Sequence, residues 1–354
     1  MRLLLFNLAT DADDPVLGFT TRWIRALAKH LEFINVITMR AGRIEVPANV
    51  RVHSVGKEKG YGEARRAMEF YRCLFRVLRG DGADFCFSHM IPVFTVLAAP
   101  ILRSQGISIA TWHGHRQVTK ILMAAHYCSD RMITSAPTGY RYRHDKLVSV
   151  GQGIDVDLFS PNGMPMAKPP LLLSVGRLSP IKDLGTLIKG VHLLRRRGHP
   201  VQCALVGAAS ETDQPYVDSL HGLVRELDLD ETVQFAGAVR NEQLVTWYRN
   251  CFAHVNLCPT GALDKAVLEA MACERPSLVA NEGFRETLKG WGERLLFRHG
   301  EAGDLAEKLD RLLQMPLGER AAMSADLRKT IVARHNLEHL AKTLVGTFEE
   351  IAGL

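Results

Sequence analysis

Short apolar runs alternate along this chain with longer stretches in which apolar residues recur every three or four positions. RLLLF (2–6), NVITM (35–39), RVHSV (51–55), FCFS (85–88), ISIATW (107–112), RMITS (131–135) and LVSV (147–150) read as strands. Between them, 19–31, 63–79, 92–104 and 118–128 have helical spacing. The alternation restarts with LLLSVG (171–176), CALVG (203–207), VQFAG (233–237), HVNLC (254–258), SLVA (277–280) and RLLF (294–297). Helices are expected over 183–197, 215–227, 241–249, 264–273 and 303–314. Strands and helices at this pitch predict a parallel sheet covered on both faces, formed twice. The fold class is α/β, with two Rossmann-like, doubly wound parallel-sheet domains facing a cleft at the carboxyl ends of their strands, where ligands of open sheets bind.

SPNGMPMAKPP (160–170) interrupts the pattern with four prolines and one glycine, and reads as a linker. The expected division is a domain over 1–160, a linker over 161–170, a second domain over 171–335 and a terminal helix over 336–354. In the helical tail Leu337, Leu340, Leu344 and Phe348 share a face with no strand of their own to cover. That helix packs back on the first domain or simply ends the second.

Composition narrows the setting. With 354 residues, 47% of them apolar, there is enough for two cores. The first apolar run is five residues long and is followed by acids, so it reads as a strand rather than a leader. No segment approaches the roughly 20 apolar residues needed to span a bilayer. A soluble, cytoplasmic protein is expected, peripheral at most to the inner face of a membrane. Seven cysteines (Cys73, Cys86, Cys128, Cys203, Cys251, Cys258, Cys273) lack the spacing of a zinc or redox pair and suit a reducing compartment. Residues 1–160 hold 21 Lys+Arg against 14 Asp+Glu, while 161–354 hold 23 against 24. The basic first half suits an anionic partner, a lipid head group or membrane surface, or is a solvated face. On segment 63–79, Arg65, Arg72, Arg76 and Arg79 form one stripe with Tyr71, Leu74, Phe75 and Leu78 largely opposite, the pattern of an interfacial helix and equally of a surface helix on a sheet. Nothing points to nucleic acid.

The chemistry concentrates after strands of the second half. GALDKAVLEAMAC (261–273) opens a helix after a Gly-containing loop, a phosphate-facing arrangement. Glu269 is its lone interior carboxylate and Lys265 stands at its mouth beside Asp264. After LLLSV, the Gly176–Arg177 loop leads to Lys182 in the first turn of a helix. There an arginine can fork onto a diphosphate and a lysine can add a point charge, replacing a metal ion at a leaving group. Both could also be solvated at a turn. Gly18 and Thr20, where the first strand enters the first helix, form either a loop for an acceptor or phosphate or an ordinary capped turn. Asp155 and Asp157 sit in a run leading to the linker and read as structural; no metal is expected.

GRLSPIKDLGTLIKG, LVG (205–207), VQFAGAV (233–239) and LEAMACERP (268–276) resemble, in order and spacing, family 4 glycosyltransferases of the GT-B fold, with weaker likeness at TWHGH (111–115) and GQGIDVDLF (151–159). The resemblance implies retaining transfer of a sugar from a nucleoside-diphosphate donor, UDP- or GDP-linked, to an acceptor hydroxyl on a glycan or lipid-linked precursor. No cofactor is implied beyond the nucleotide-sugar co-substrate. Gly176, Arg177 and Lys182 match the donor-diphosphate loop. Glu269 matches the second glutamate of the Glu-seven-residues-Glu motif, which holds the nucleotide ribose. The first glutamate is replaced by Gly261, so Gly261, Ala262 and Leu263 are expected to offer backbone N–H groups, with Asp264 and Lys265 making polar contacts or Asp264 serving as a helix cap. His115, or alternatively His113, matches a histidine near the reacting sugar. Two other readings remain: a nucleotide-sugar epimerase, and a non-catalytic nucleotide-sugar-binding protein, the latter prompted by Gly261.

Overall fold

The computed structural model describes residues 1–14, 17–115 and 117–353. They form two compact units, Met1–Gly153 together with the segment from Leu337 onward, and Ile154–Asn336.

Among the described residues, the first unit holds seven strands: β1 (Arg2–Thr10), β2 (Phe33–Ala41), β3 (Val50–Ser54), β4 (Phe85–His89), β5 (Ser108–Trp112), β6 (Arg131–Thr134) and β7 (Leu147–Ser149). They lie in the order β3-β2-β1-β4-β5-β6-β7, every pairing parallel. Helices α1 (Phe19–Ala28), α2 (Glu63–Arg79), α3 (Pro92–Ser104) and α4 (Lys120–Cys128) make four of the six connections between successive strands. Successive side chains of a strand point to opposite faces, and β1 is apolar on both. Leu3 and Leu5 enter one core with Trp23, Ile24 and Leu27 of α1, whereas Leu4 and Phe6 enter another with Phe70 and Leu74 of α2 and Phe94 of α3.

In the second unit β8 (Leu171–Val175), β9 (Gln202–Val206), β10 (Val233–Gly237), β11 (Ala253–Asn256) and β12 (Ser277–Val279) form a parallel sheet in the order β10-β9-β8-β11-β12. Its helices are α5 (Leu184–Arg196), α6 (Gln214–Glu226), α7 (Leu244–Asn250), α8 (Lys265–Ala272), the short α9 (Arg285–Leu288) and α10 (Gly292–Leu295), α11 (Ala302–Gln314) and α12 (Leu317–Arg334). The expected strand at 294–297 does not form. Leu295 closes a helical turn, and Leu296 makes only an isolated bridge to Val279.

The helical tail holds two helices, and the second falls within the 336–354 span expected for a terminal helix. α12 stays with the second unit, the chain breaks at His335–Asn336, and α13 (Leu337–Ala352) completes the first unit. Leu340, Leu344 and Phe348 bury against the α1 side of the first sheet, with the Phe348 ring 4.8 Å from Phe85 and 5.0 Å from Phe87. The passage between units falls at Gly153–Ile154 rather than in the proline-rich 161–170 segment. That segment is tied into the second unit: Ala167 N–H donates to Asn250 O (2.9 Å), and Arg249 Nε donates to Ser160 O (2.6 Å).

Candidate functional site

The loops leaving β8, β11 and β12 carry the chemically distinctive residues of the second unit. At the exit of β8, Gly176 (φ 144°) lies so close to Gly207 at the exit of β9 that a Cβ on Gly207 (φ 145°) would sit 1.9 Å from the Gly176 carbonyl oxygen. Only glycine fits at 207. A Cβ on Gly176 would meet Lys182 Nζ at 2.9 Å, so the bare backbone leaves room for the lysine across the loop. Lys182 ends a tight turn, Pro180–Lys182, ahead of α5 rather than inside its first turn. Arg177, which follows Gly176, is exposed.

Lys182 Nζ lies 2.5 Å from Asp264 Oδ2. The same carboxylate oxygen accepts from Asn256 Nδ2 (2.9 Å), and Oδ1 accepts from Ala266 N–H (3.2 Å), capping α8. The Asp264 side chain thus serves as cap and counter-ion at once. Burial disfavours its charge, but Lys182 together with the hydrogen bonds from Asn256 and Ala266 outweighs burial and holds the carboxyl at about 2. Burial likewise opposes the Lys182 charge, and Asp264 with Cys258 more than restores it, so the lysine's pKa is raised and it stays protonated.

One turn into α8, Glu269 is buried. Its Oε2 accepts from the Tyr248 hydroxyl at 2.9 Å, and Oε1 receives a longer contact from Asn241 Nδ2 at 3.5 Å. Burial pushes the carboxyl's pKa up, while the Tyr248 hydrogen bond and the Lys265 charge pull it down. Deeper in the unit, His254 of β11 is fully buried, and its ring nitrogens have no hydrogen-bond partner among the described residues. Burial holds it neutral, with a pKa of about 3.

The loop before α8 differs from expectation in one respect. The Gly261 N–H, expected to face a ligand, donates to Asn281 Oδ1 (3.2 Å), and Asn281 Nδ2 donates to Ala262 O (2.9 Å). A side chain just past β12 therefore fixes this loop. Leu263 is buried, and Lys265 opens α8 four residues ahead of Glu269. Sequence reasoning missed Tyr248, Asn241, Asn256 and Asn281. Asn256 ends β11 and Asn281 lies two residues beyond β12, so polar residues at strand carboxyl ends were the available signal.

In the first unit, His113 leaves β5 buried, with neither ring nitrogen making a well-formed hydrogen bond among the described residues. Burial lowers its pKa to about 4. His115 is exposed, and its Nδ1 accepts from Gln117 N–H (3.2 Å) within its own turn. Gly18 and Thr20 build the turn into α1. A Cβ on Gly18 would lie 2.6 Å from Asp14 O, and the buried Thr20 hydroxyl lies 2.7 Å from Ala9 O and 2.8 Å from Leu17 O. That hydroxyl is engaged by backbone rather than held open for a phosphate. On α2, Phe70, Cys73, Leu74 and Val77 are buried. Phe75 projects away from that line and stands exposed with Met68, Arg65, Arg72, Arg76 and Arg79, instead of opposite the arginines.

Comparison with known proteins bears on the second unit most directly, because a family described as glycosyl transferases group 1 matches residues 161–330. This segment belongs to that family. The group 1 segment contains Arg177, Lys182, Tyr248, Asp264, Glu269 and Asn281. The chain is 29% identical over 184 residues to D-inositol 3-phosphate glycosyltransferase 2 of Catenulispora acidiphila, a match covering 48% of this chain and 43% of that protein. It is 30% identical over 203 residues to a D-inositol 3-phosphate glycosyltransferase of Kineococcus radiotolerans, covering 51% and 46%. The chain thus spans about half the length of these curated relatives. Among solved structures, HepE of Anabaena in complex with UDP superposes with a TM-score of 0.77 at 15% identity, covering 99% of this chain and 100% of that one. Sucrose-phosphate synthase of Thermosynechococcus elongatus gives 0.83 at 18% identity, covering 100% and 99%. At such identities the likeness concerns the fold, which is GT-B. Among the described residues no group of three or more His, Cys, Asp and Glu is placed to hold a metal ion, and no helix is long and apolar enough to cross a membrane.

Proposed function

We propose that the chain is a retaining glycosyltransferase that moves a sugar from a nucleoside-diphosphate donor, UDP- or GDP-linked, to a hydroxyl of a glycan or lipid-linked acceptor. The observation that carries this reading is the clustering, within the group 1 segment, of two cationic side chains at the β8 exit and a buried carboxylate on α8. When the bond from the anomeric carbon to phosphate breaks, negative charge builds on the departing diphosphate. Arg177 and Lys182 supply counter-charge there, with no metal required. Glu269 accepts hydrogen bonds from the ribose diol, which only a ribonucleotide offers in full. Relatives named for inositol phosphate, and one from Mycolicibacterium smegmatis named for GDP-mannose and phosphatidylinositol monomannoside, support a polyol or glycolipid acceptor. The first unit binds that acceptor, and His113 serves the transfer in preference to His115, whose ring nitrogen is engaged in its own turn.

The exposed face of α2 supports peripheral contact with an anionic membrane. Four arginines supply the charge, and Met68 and Phe75 supply insertable apolar area. Seven free thiols, five of them buried, suit a cytoplasmic setting on the inner face of that membrane.

A thermal-shift panel of UDP, GDP, ADP and their common sugars on wild type and Glu269→Ala tests the donor reading. The expected result is a selective upward shift with one nucleotide that the variant loses, followed by sugar transfer in a turnover assay. No shift with any nucleotide at millimolar concentration overturns it. Binding without turnover across acceptors would favour the non-catalytic alternative, and a changed sugar without an acceptor the epimerase.

A further inference from the structure

Two polar groups meet in the interior of the second unit where packing alone asks for none. Tyr248 is fully buried on α7, its ring 5.9 Å from Phe159 on one contact and 6.0 Å from His254 on another. A phenylalanine would fill the same space. The hydroxyl is costly to bury unless it is bonded, and a buried carboxylate is costlier still. Their 2.9 Å hydrogen bond satisfies both. The phenol's pKa is held well above its ordinary value by burial and by the neighbouring carboxylate, so Tyr248 remains the donor.

Resting on the donor-site reading above, we propose that Tyr248 is the positioning residue that sets ribose selectivity, by committing Glu269 Oε2 to a fixed interior donor and leaving Oε1 as the diol's acceptor. The geometry supplies each part. Rings against Phe159 and His254 hold the tyrosine, so its hydroxyl is a rigid anchor rather than a mobile partner. Oε1 carries only the long 3.5 Å contact from Asn241 among the hydrogen bonds observed at that oxygen, and a carboxylate oxygen has capacity for more. A diol recognised by a carboxylate also requires that carboxylate to be ionised. The groups acting on Glu269 are Tyr248 from α7, Asn241 from the loop before it, Lys265 one turn back on α8, and Asp264 at the cap of α8. Tyr248, Lys265 and Asn241 favour the ionised form, whereas Asp264 and burial oppose it. Removing the hydroxyl therefore both frees the side chain and raises the pH at which Glu269 takes up a proton.

The test measures binding of UDP or GDP, whichever wild type takes, and of its 2′-deoxy analogue by calorimetry between pH 5 and 8, for wild type, Tyr248→Phe, Glu269→Gln and the double variant. Wild type prefers the ribonucleotide. Tyr248→Phe loses about tenfold of that preference, the scale of one misplaced hydrogen bond to a charged group. Its loss of binding on acidification moves to higher pH. In the Glu269→Gln background the tyrosine substitution changes the preference no further, which a general packing defect would not reproduce. Tyr248→Phe with wild-type preference and pH profile, or an equal loss in both backgrounds, overturns the proposal while leaving the donor site standing. Wild type that binds neither nucleotide overturns both. Melting temperatures of all four proteins separate a variant that has not folded from one that has lost selectivity.

Discussion

Lys182 and Asp264, eighty-two positions apart, meet at 2.5 Å between the exit of β8 and the cap of α8. The lysine proposed to meet a diphosphate is therefore already part-neutralised within the protein. Asp264→Asn removes that negative charge while keeping a side chain able to cap α8. Nucleoside diphosphate binding should tighten roughly tenfold, the effect of deleting one like charge near the ligand at intermediate dielectric. Stability should fall by roughly 1–3 kcal/mol, because Lys182 is left without its counter-ion. Calorimetry and urea unfolding read the two effects separately. Weaker nucleotide binding in a folded variant would instead mean that Asp264 contacts the donor directly.

His254 should make the protein acid-sensitive. Its folded pKa of about 3 lies below the ordinary 6.5, so between those values the unfolded chain binds a proton that the folded chain excludes. Stability rises with pH across that window and drains away on acidification, by about 2 kcal/mol between pH 7 and 5 from this residue. His113, lowered to about 4, acts with the same sign. Urea midpoints at pH 7 and 5 should differ less in His254→Met than in wild type. Equal pH dependence in both would show that the imidazole is hydrated or paired in solution.

Phe348→Ala should cost roughly 3–5 kcal/mol, since it empties a fully buried aromatic site against Phe85 and Phe87. The loss should appear as early proteolysis within residues 1–153, far away in sequence, with the group 1 segment surviving longer. Cleavage confined to the tail would mean that α13 contributes little to the first core.

On α2, replacing Arg72, Phe75 and Arg76 by Gln, Ser and Gln should abolish co-sedimentation with phosphatidylglycerol vesicles, each arginine being worth about 1 kcal/mol near an anionic surface. Phosphatidylcholine vesicles should not retain even the wild type. Unchanged sedimentation of the variant would remove α2 as the docking face.

The central strands were legible because parallel sheets bury both faces and so read as apolar runs, while the part-buried edge strands β3 and β7 lie where shorter, mixed runs occur. RLLF misled for the same reason. Leu295 and Leu296 are buried, but by a helical turn and one bridge rather than a ladder. The 161–170 prolines marked irregular chain correctly, but the passage between units lies at Gly153–Ile154, and Arg275 to Met164 O and Ala167 N–H to Asn250 O fasten that segment within the second unit. In the candidate site, Arg177, Lys182 and Glu269 could be singled out because each follows a strand within a short motif. Tyr248 could not. Its partner Glu269 lies 21 residues away, and only the packing of α7 on α8 brings them together.

The chain enters and leaves the second unit at neighbouring points. Ile154 N–H donates to His335 O at 2.7 Å, and Ile154 bridges Asn336. The group 1 unit is thus an insertion within the first, and this orders events on the ribosome. While 154–336 is being made, the face of Phe85 and Phe87 has emerged but lacks α13 to cover it. A nascent chain with an uncovered apolar sheet face is prone to aggregation, and chaperone demand should concentrate in that interval. The unit whose synthesis starts before the group 1 segment finishes its core only after it.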